Sequence, residues 1–317
     1  MVSLTIVWRT FAVWAENIAL VFIISFTFYA TLPIKTEKKL SIPQGASSKT
    51  IITQLNTRGY DVGFIDTLIL SQMGKISGGE LRFKKTYINR IDFLYQLTKA
   101  KVPLLKITLI PGETTEIFLD LVAKKLDINA TKLLTAYHTH SKYPEAGIAA
   151  DTYLVPKKMN EEKLIKFLLA SSQRAYKRLS NEHYGDYNQT KWHKVLIIAS
   201  IIQKEAASNK EMPLVASVIY NRLKKNMRLQ MDGTLNYGKY SHIKVTPERI
   251  RNDKSSFNTY KHKGLPPTAI GAVSAHAIKA AINPTKTNYL YFMRNKDGVH
   301  DFTDTFKKHR KNIQKVR

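Results

Sequence analysis

The carboxylate with the clearest chemical potential in this chain is Glu205, which stands where an apolar helix runs out. Val195 to Ile202 is unbroken apolar or small, which in a soluble helix means burial on every side; polarity then returns at Gln203, Lys204 and Glu205. At helical spacing Glu205 stacks over Ile201, Ile202 and Ile198, while Lys204 points elsewhere. Desolvation and the negative end of a helix both raise a carboxyl pKa, so Glu205 is placed to hold a proton near neutral pH, as a general acid must. The alternative is a glutamate that only marks where the helix meets water. A second carboxyl, where the chemistry needs one, has two nearby candidates, Glu211 and Asp232.

The elements that would position these groups follow from spacing. After the loop Ala206 to Glu211, Pro213 suits the first turn of a helix whose face carries Leu214, Val215, Val218, Ile219, Arg222 and Leu223. Arg222 thus falls on the apolar side and needs a carboxylate, carbonyl or substrate partner, unless its stem snorkels. Asp232-Gly233 reads as a tight turn between extended pieces, Met227 to Met231 and Thr234 to Tyr237, with Gln230 and Asp232 projecting polar groups beside it. Lys158 to Arg178 reads as an amphipathic helix with Leu164, Phe167, Leu168 and Tyr176 inside, and Ser180 to Thr190 as a loop. His138 and His140 alternate as on a strand or loop, no histidine pair has metal-ligand spacing on a helix, and no glycine-rich phosphate cradle is present.

A chain of 317 residues exceeds one ordinary core of ~100 to 150 residues, so two folded units plus appendages are expected. Cysteine is absent, which excludes disulfides and thiolate metal sites. A formal net charge of +26 implies an anionic partner or a lysine-rich proteome. From Met1 to Leu32 the only charges are Arg9 and Glu16, and a helix from Phe11 is long enough to cross a ~30 Å hydrocarbon core. A single anchor over residues 11–33 is expected, with residues 1–10 on the cytoplasmic side; Lys35, Lys38 and Lys39 after the span, counted alone, argue for the opposite orientation. Beyond it lies a weak repeat: Leu40 to Ser48 and Ile107 to Thr115 each read as a short strand, a Pro/Gly turn, a hydroxyl cap and then an amphipathic helix. Between them Tyr60 to Met73 and Ile88 to Leu97 read as helices, with Gly74 to Leu81 as a loop or short strand, and the boundary between units is placed at Lys106.

Ala199 to Glu205, Val215-Ala216-Ser217-Val218, Asn221-Arg222-Leu223, Leu229-Gln230-Met231-Asp232 and Tyr237-Gly238 together resemble the YceG-like family of endolytic murein transglycosylases. Asn258-Thr259-Tyr260, Gly264-Leu265-Pro266-Pro267, Asn283-Pro284, Tyr289 to Phe292, and Asp297-Gly298 with His300 continue the likeness downstream. Glu145-Ala146-Gly147 and Asp151-Thr152-Tyr153 open it upstream. The chain departs from the family pattern at Gly233, where proline is usual, at Ala146, where glycine is usual, and at Thr268 to Gly271. These departures bear on subsite geometry rather than on the chemistry.

The resemblance implies an α+β protein with a single N-terminal transmembrane helix, a small LysM-like αβ domain over 34–106 and a mixed α+β catalytic domain over 107–317. It implies that Glu205 protonates the oxygen bridging N-acetylmuramic acid and N-acetylglucosamine, after which the muramyl C6 hydroxyl attacks C1 to leave a 1,6-anhydro end. Gln230, Asp232, Asn258 and Tyr260, with Asn221 and Arg222, are the implied substrate-binding candidates; no metal or cofactor is called for. The implied partners are peptidoglycan strands, the inner membrane and cell-wall synthases, with the catalytic domain on the periplasmic side. Two other classes stay open on the residues alone. A membrane-tethered glycan-binding scaffold would show no turnover, and a nucleic-acid binder would explain the charge although no nucleic-acid motif is present and the basic residues are scattered.

Overall fold

In the computed structural model the first helix, α1 (Val2–Thr31), is apolar enough to cross a membrane over Phe11–Thr31. The structure describes all residues except Met1, Gln44, Lys75, Ser77, Lys158 and Arg317, and for residues 2–7, Thr10 and Lys239 the backbone alone. The expected span to residue 33 stops at Thr31, because Pro33 opens strand β1 (Pro33–Lys35). The chain divides into two compact units, Met1–Leu104 and Leu105–Arg317.

In the first unit β1 is followed by β2 (Lys39–Ile42), α2 (Ser48–Thr57), α3 (Phe64–Gln72), β3 (Gly79–Arg82), β4 (Tyr87–Asn89) and α4 (Arg90–Thr98). β1 pairs antiparallel with β4, and β2 with β3. Ile34, Leu40, Ile51, Leu55, Leu70 and Phe93 form one buried core. α3 starts later than Tyr60 because the Asp66 carboxylate turns back to accept the Gly63 N–H at 2.7 Å, fixing the first turn there. α4 starts at Arg90 rather than Ile88, capped by the Asn89 side chain, which leaves Ile88 to β4. Asp66 also accepts from Arg90 Nη1 at 2.9 Å and from the Tyr29 hydroxyl at 2.9 Å, which ties the last turn of α1 to this unit.

The second unit begins within β5 (Leu104–Thr108) and continues through α5 (Thr115–Leu126), α6 (Ala130–His140), β6 (Thr152–Pro156), α7 (Glu161–Tyr184), α8 (Gln189–Glu205) and α9 (Met212–Lys224). The 3₁₀ turns Asp232–Leu235 and Gly238–Tyr240, α10 (Pro247–Asn252), α11 (Ala275–Ile282), β7 (Tyr291–Arg294), β8 (His300–Thr303) and α12 (Phe306–Val316) complete it. β5 pairs with β6, and β7 with β8 in an antiparallel hairpin. Two cores result. Phe118, Leu119, Tyr137, Val155, Leu164 and Leu168 belong to one, and the other gathers around α8, α9 and α11.

Several readings change here. Ser180 to Thr190 is mostly helical, because Tyr176, Leu179 and Ser180 are buried and the stop comes at Gly185, left-handed at φ 76°. That helix begins at Glu161, capped by Asn160, so its expected start at Lys158 lies outside the described residues, as does Gln44 of the first repeat turn. His138 and His140 lie on helix α6, which is set by the Asn129 cap and by Leu133 and Tyr137 buried four apart. The hairpin expected around Asp232-Gly233 is a 3₁₀ turn, with Gln230 left-handed at φ 50° just before it.

Candidate active site

α8 carries its last residue, Glu205, on a shaft that is fixed from end to end. Trp192 and every residue from Val195 to Ile202 are buried, Trp192 against the rings of Tyr176 and Tyr187 and the others in the core that α8 shares with α9 and α11. Truncating one such Leu or Ile to Ala would cost about 2–5 kcal/mol, so the helix has little freedom to shift. Polar groups pin it as well. Ser200 Oγ accepts the Ile270 N–H at 3.0 Å, and Gln203 Oε1 accepts from the Ser274 hydroxyl at 2.6 Å. The loop that follows is closed by Glu211, which accepts the Ala207 N–H at 3.1 Å, the His300 N–H at 2.9 Å and a 2.8 Å contact from His300 Nδ1. Glu211, one candidate for a second carboxyl, is therefore buried and engaged in holding the chain path.

Glu205 opens into a groove of about 460 Å³. One wall is the turn Ile110 to Glu113 and the other is the segment 232–242, which supplies Asp232, Gly233, Asn236, Ser241 and His242. The carboxyl is half-buried, and its Oε1 accepts the Gly233 N–H at 2.7 Å. Desolvation pushes its pKa up to about 7; the Gly233 hydrogen bond opposes the rise and the charge of Asp232 adds to it. A group titrating there is divided between acid and base at neutral pH, which suits proton transfer in both directions.

Asp232 is exposed in the same groove and accepts the Tyr260 hydroxyl at 2.7 Å. Burial first, then Asp232, hold the Tyr260 phenol well above its ordinary pKa, so it remains a donor. Gln230 is exposed, with its N–H given to the Thr259 carbonyl at 3.1 Å. Asp232 and Tyr260 thus lie beside Glu205, whereas the Gln230 amide oxygen accepts from Arg222 Nη1 at 3.4 Å. Arg222, Asn221 and Asn258 are engaged with internal carbonyls. Arg222 is buried and donates from Nε to the Leu290 carbonyl at 2.7 Å and from Nη1 to the Leu229 carbonyl at 2.7 Å, so the partner that its apolar position demanded is backbone. Asn221 holds the carbonyls of Thr287 and Tyr289 at 2.8 and 3.0 Å and lines a different cavity. Asn258 is fully buried and spends its amide on the Ile250 and Asp253 carbonyls, while its Oδ1 accepts the Tyr260 N–H at 3.1 Å.

Sequence reasoning missed Lys204, Glu113 and His242. Lys204, placed away from Glu205 by helical spacing, lines the groove; its ammonium donates to the Asn236 carbonyl and to Ser241 Oγ at 3.3 Å. Burial lowers its pKa to about 8 against the pull of Glu113 and Glu145. Glu113 Oε2 meets His242 Nε2 at 3.0 Å, across the two groove walls. Glu113 sits in the Pro111-Gly112 turn of the second repeat, and its place in that turn was the available signal. Glu145 is buried beneath the turn and accepts from Thr115 N at 3.0 Å, from the Thr115 hydroxyl and from Ala146 N at 3.1 Å. Among the described residues no group of three or more His, Asp or Glu side chains is arranged to hold a metal.

Residues 40–315 match the YceG-like family. Over 128 residues the chain is 40% identical to a Bacillus subtilis (strain 168) protein named endolytic murein transglycosylase, a stretch covering 40% of this chain and 36% of that one. It is 34% identical over 149 residues to a Streptococcus pneumoniae (serotype 2) protein of the same name, covering 45% of this chain and 26% of the other. The matched stretch thus spans about a third or less of each relative's length. The crystal structure of a YceG-like protein from Listeria monocytogenes superposes with a TM-score of 0.56 at 27% identity, covering 87% of this chain and 99% of that one.

Proposed function

Because the chain belongs to the YceG-like family, we propose that it is a membrane-anchored endolytic murein transglycosylase in which Glu205 serves as acid and then as base. The observation that carries this is one carboxyl, half-buried at the floor of a groove, with a pKa raised to about 7. The two relatives bearing the transglycosylase name support it. Glu205 gives its proton to the oxygen bridging N-acetylmuramic acid and N-acetylglucosamine as the C1–O bond breaks. The muramyl C6 hydroxyl then adds to C1 of its own ring, and its proton returns to Glu205. No water is consumed, and the intramolecular attack replaces a positioned water and its base. The Glu205 anion is met by the Gly233 N–H, and exposed Asp232, held by Tyr260, supplies negative charge toward the cationic sugar carbon.

Asp232 also favours one second reading. As the exposed carboxylate beside Glu205 it is the available base or nucleophile for ordinary two-carboxyl hydrolysis. Mass analysis of products from purified murein separates the two. Transglycosylation leaves muramyl ends lighter by one water than hydrolytic ends, and reducing ends without anhydro ends would overturn the proposal.

The remaining proposals concern place and role. Residues 11–31 anchor the chain in the inner membrane and residues 32 onward lie on the periplasmic side, where cutting of nascent strands would limit their length and bring the enzyme beside cell-wall synthases. A reporter fused after residue 317 that is active only in the cytoplasm would refute the orientation. The small domain over 34–106 is proposed to be LysM-like and to hold glycan. Deleting Ser41 to Val102 should weaken binding to intact murein while leaving the bond cut unchanged, and loss of all product from a folded truncation would count against that division.

A further inference from the structure

The face of α3 that the first unit leaves outside is apolar. Phe64, Ile65 and Leu68 are exposed by 75, 49 and 52% of their surface, whereas Leu70 is wholly buried and Ile69 and Met73 pack partly against the core. The one charged residue of the helix, Asp66, is buried and paired with Arg90, so no ionised group stands on the outer face. A helix that carries large apolar side chains both toward its core and away from it is made for a second apolar surrounding.

What surrounds that face follows from where α3 begins. Asp66 Oδ2 accepts the Tyr29 hydroxyl at 2.9 Å, and Tyr29 stands two residues before the end of the apolar stretch Phe11–Thr31. Arg90 completes the joint. Its Nη1 donates to the Tyr29 hydroxyl at 3.1 Å and to Asp66 at 2.9 Å, its guanidinium lies 4.4 Å over the Tyr29 ring, and its backbone N–H donates to the Leu32 carbonyl at 2.9 Å. β1 starts at Pro33, so no linker separates the apolar stretch from the first unit. Side chains on a helix lean toward its N-terminus. The Tyr29 hydroxyl is therefore level with the last turns of α1 or deeper, and α3 begins beside that end of α1 rather than beyond it. At about 100° per residue Phe64 and Leu68 stand opposite Asp66, on the side turned away from α1.

We propose that α3 is a second membrane contact: its Phe64, Ile65 and Leu68 face lies in the headgroup layer at the Thr31 end of the span and holds the small domain against the bilayer. The proposal rests on the membrane anchor proposed above and is independent of the murein chemistry. A helix resting in this layer buries its apolar face about 5–10 Å into the boundary between headgroups and acyl chains, the level at which interfacial tyrosines such as Tyr29 also sit. The joint of Tyr29, Asp66 and Arg90 sets α3 at that level without any further movement of the chain. A second copy of the chain or another protein would cover the same side chains without bringing lipid to them.

The chain has no cysteine, so Phe64→Cys, Leu68→Cys and, as a marker of the span, Val21→Cys each accept a single environment-sensitive fluorophore. All three positions are exposed on their helices, so the label displaces no core, and two positions on α3 keep the test decisive if one labelled protein fails to fold. Each labelled full chain is placed in phospholipid nanodiscs and met by two quenchers, nitroxides carried on the lipids and iodide in the water. Labels at 64 and 68 should lose at least about half of their emission to headgroup nitroxides and be quenched by iodide about threefold less than the free dye. Full access to iodide with no quenching by lipid overturns the proposal. Shielding from both quenchers overturns it as well, because protein rather than lipid then covers the face. The label at 21 should be quenched by nitroxides placed along the acyl chains; if it is not, the anchor fails and this contact fails with it. Quenching at 21 with none at 64 and 68 leaves the anchor standing and removes the second contact alone.

Discussion

Replacing Glu205 by glutamine should abolish turnover and also make the protein more stable, increasingly so as the pH rises. A carboxyl whose pKa is about 7 in the folded chain and near 4.5 when unfolded binds its proton more tightly when folded. Below pH 4.5 both states are protonated and the site carries no penalty. As the pH climbs from 4.5 through 7 the unfolded state ionises first, so stability falls, and above 7 the full penalty is present. At about 1.4 kcal/mol per pH unit the shift corresponds to about 3 kcal/mol; solvent on the groove side reduces it, giving about 1–3 kcal/mol. The glutamine of Glu205→Gln would not titrate, and its amide oxygen would still accept the Gly233 N–H. The gap between variant and wild type should therefore widen by about 1–3 kcal/mol between about pH 4.5 and 8, or roughly 3–10 °C in thermal midpoint for a unit of this size. A constant offset from packing cancels in that difference. The assay is thermal unfolding of both proteins across this range, beside anhydro-product yield, which should fall by at least about 10²–10⁴. A gap that stays flat with pH refutes the desolvated-acid reasoning, and wild-type yield from Glu205→Gln refutes the mechanism.

Tyr260→Phe removes the donor that holds Asp232 and should lower kcat about tenfold while unfolding within about 1 kcal/mol of wild type; unchanged kcat would take Asp232 positioning out of the reaction. Gly271→Ala places a methyl 2.6 Å from the Gly112 carbonyl oxygen at φ 157°, so denaturant titration should show a loss of about 1–3 kcal/mol, with reduced activity because Gly112 and Glu113 wall the groove. Arg222→Met leaves the Leu229 and Leu290 carbonyls without their donor and should cost about 2–5 kcal/mol in the same titration, with KM little changed in whatever protein folds. A raised KM at full stability would return Arg222 to the substrate.

Glu205 was legible because its signal is one-dimensional: an apolar run that ends in a carboxylate on its own helix. Arg222 was legible as buried for the same reason, but its partners are carbonyls 68 and 7 residues away, which no helical spacing reveals. Asn221 and Asn258 show the complementary limit. A polar residue in a motif can serve a substrate or an internal carbonyl equally well, and only the fold decides between them. Ala146 shows how a departure from pattern becomes physical. Its φ of 60° is the left-handed region that favours glycine, and it stays there because its own N–H is held by buried Glu145. Lys204 was misplaced because its long stem bends back along the helix end to reach Asn236, a freedom that the direction of its Cα–Cβ bond does not express.

Gly233 joins these observations to the mechanism. By resemblance proline was the expected residue here, and proline has no N–H to give. In this chain the Gly233 N–H points at Glu205 Oε1 from 2.7 Å, and a Cβ at 233 would stand only 2.9 Å from that oxygen and 2.9 Å from Lys204 Cβ. Glycine thus does two things at once: it lets the segment approach the carboxyl, and it supplies a donor on arrival. That donor binds the carboxylate more strongly than the neutral acid, so it offsets part of the rise in pKa caused by burial. In the proposed reaction negative charge would develop on Glu205 as the leaving oxygen takes its proton, so the hydrogen bond would strengthen toward the transition state and contribute to rate rather than to binding alone. Substitution by proline would remove the donor, raise the pKa of Glu205 further and move the alkaline limb of the pH–rate profile upward while lowering its plateau. A plain loss of folding stability would leave the position of that limb unchanged.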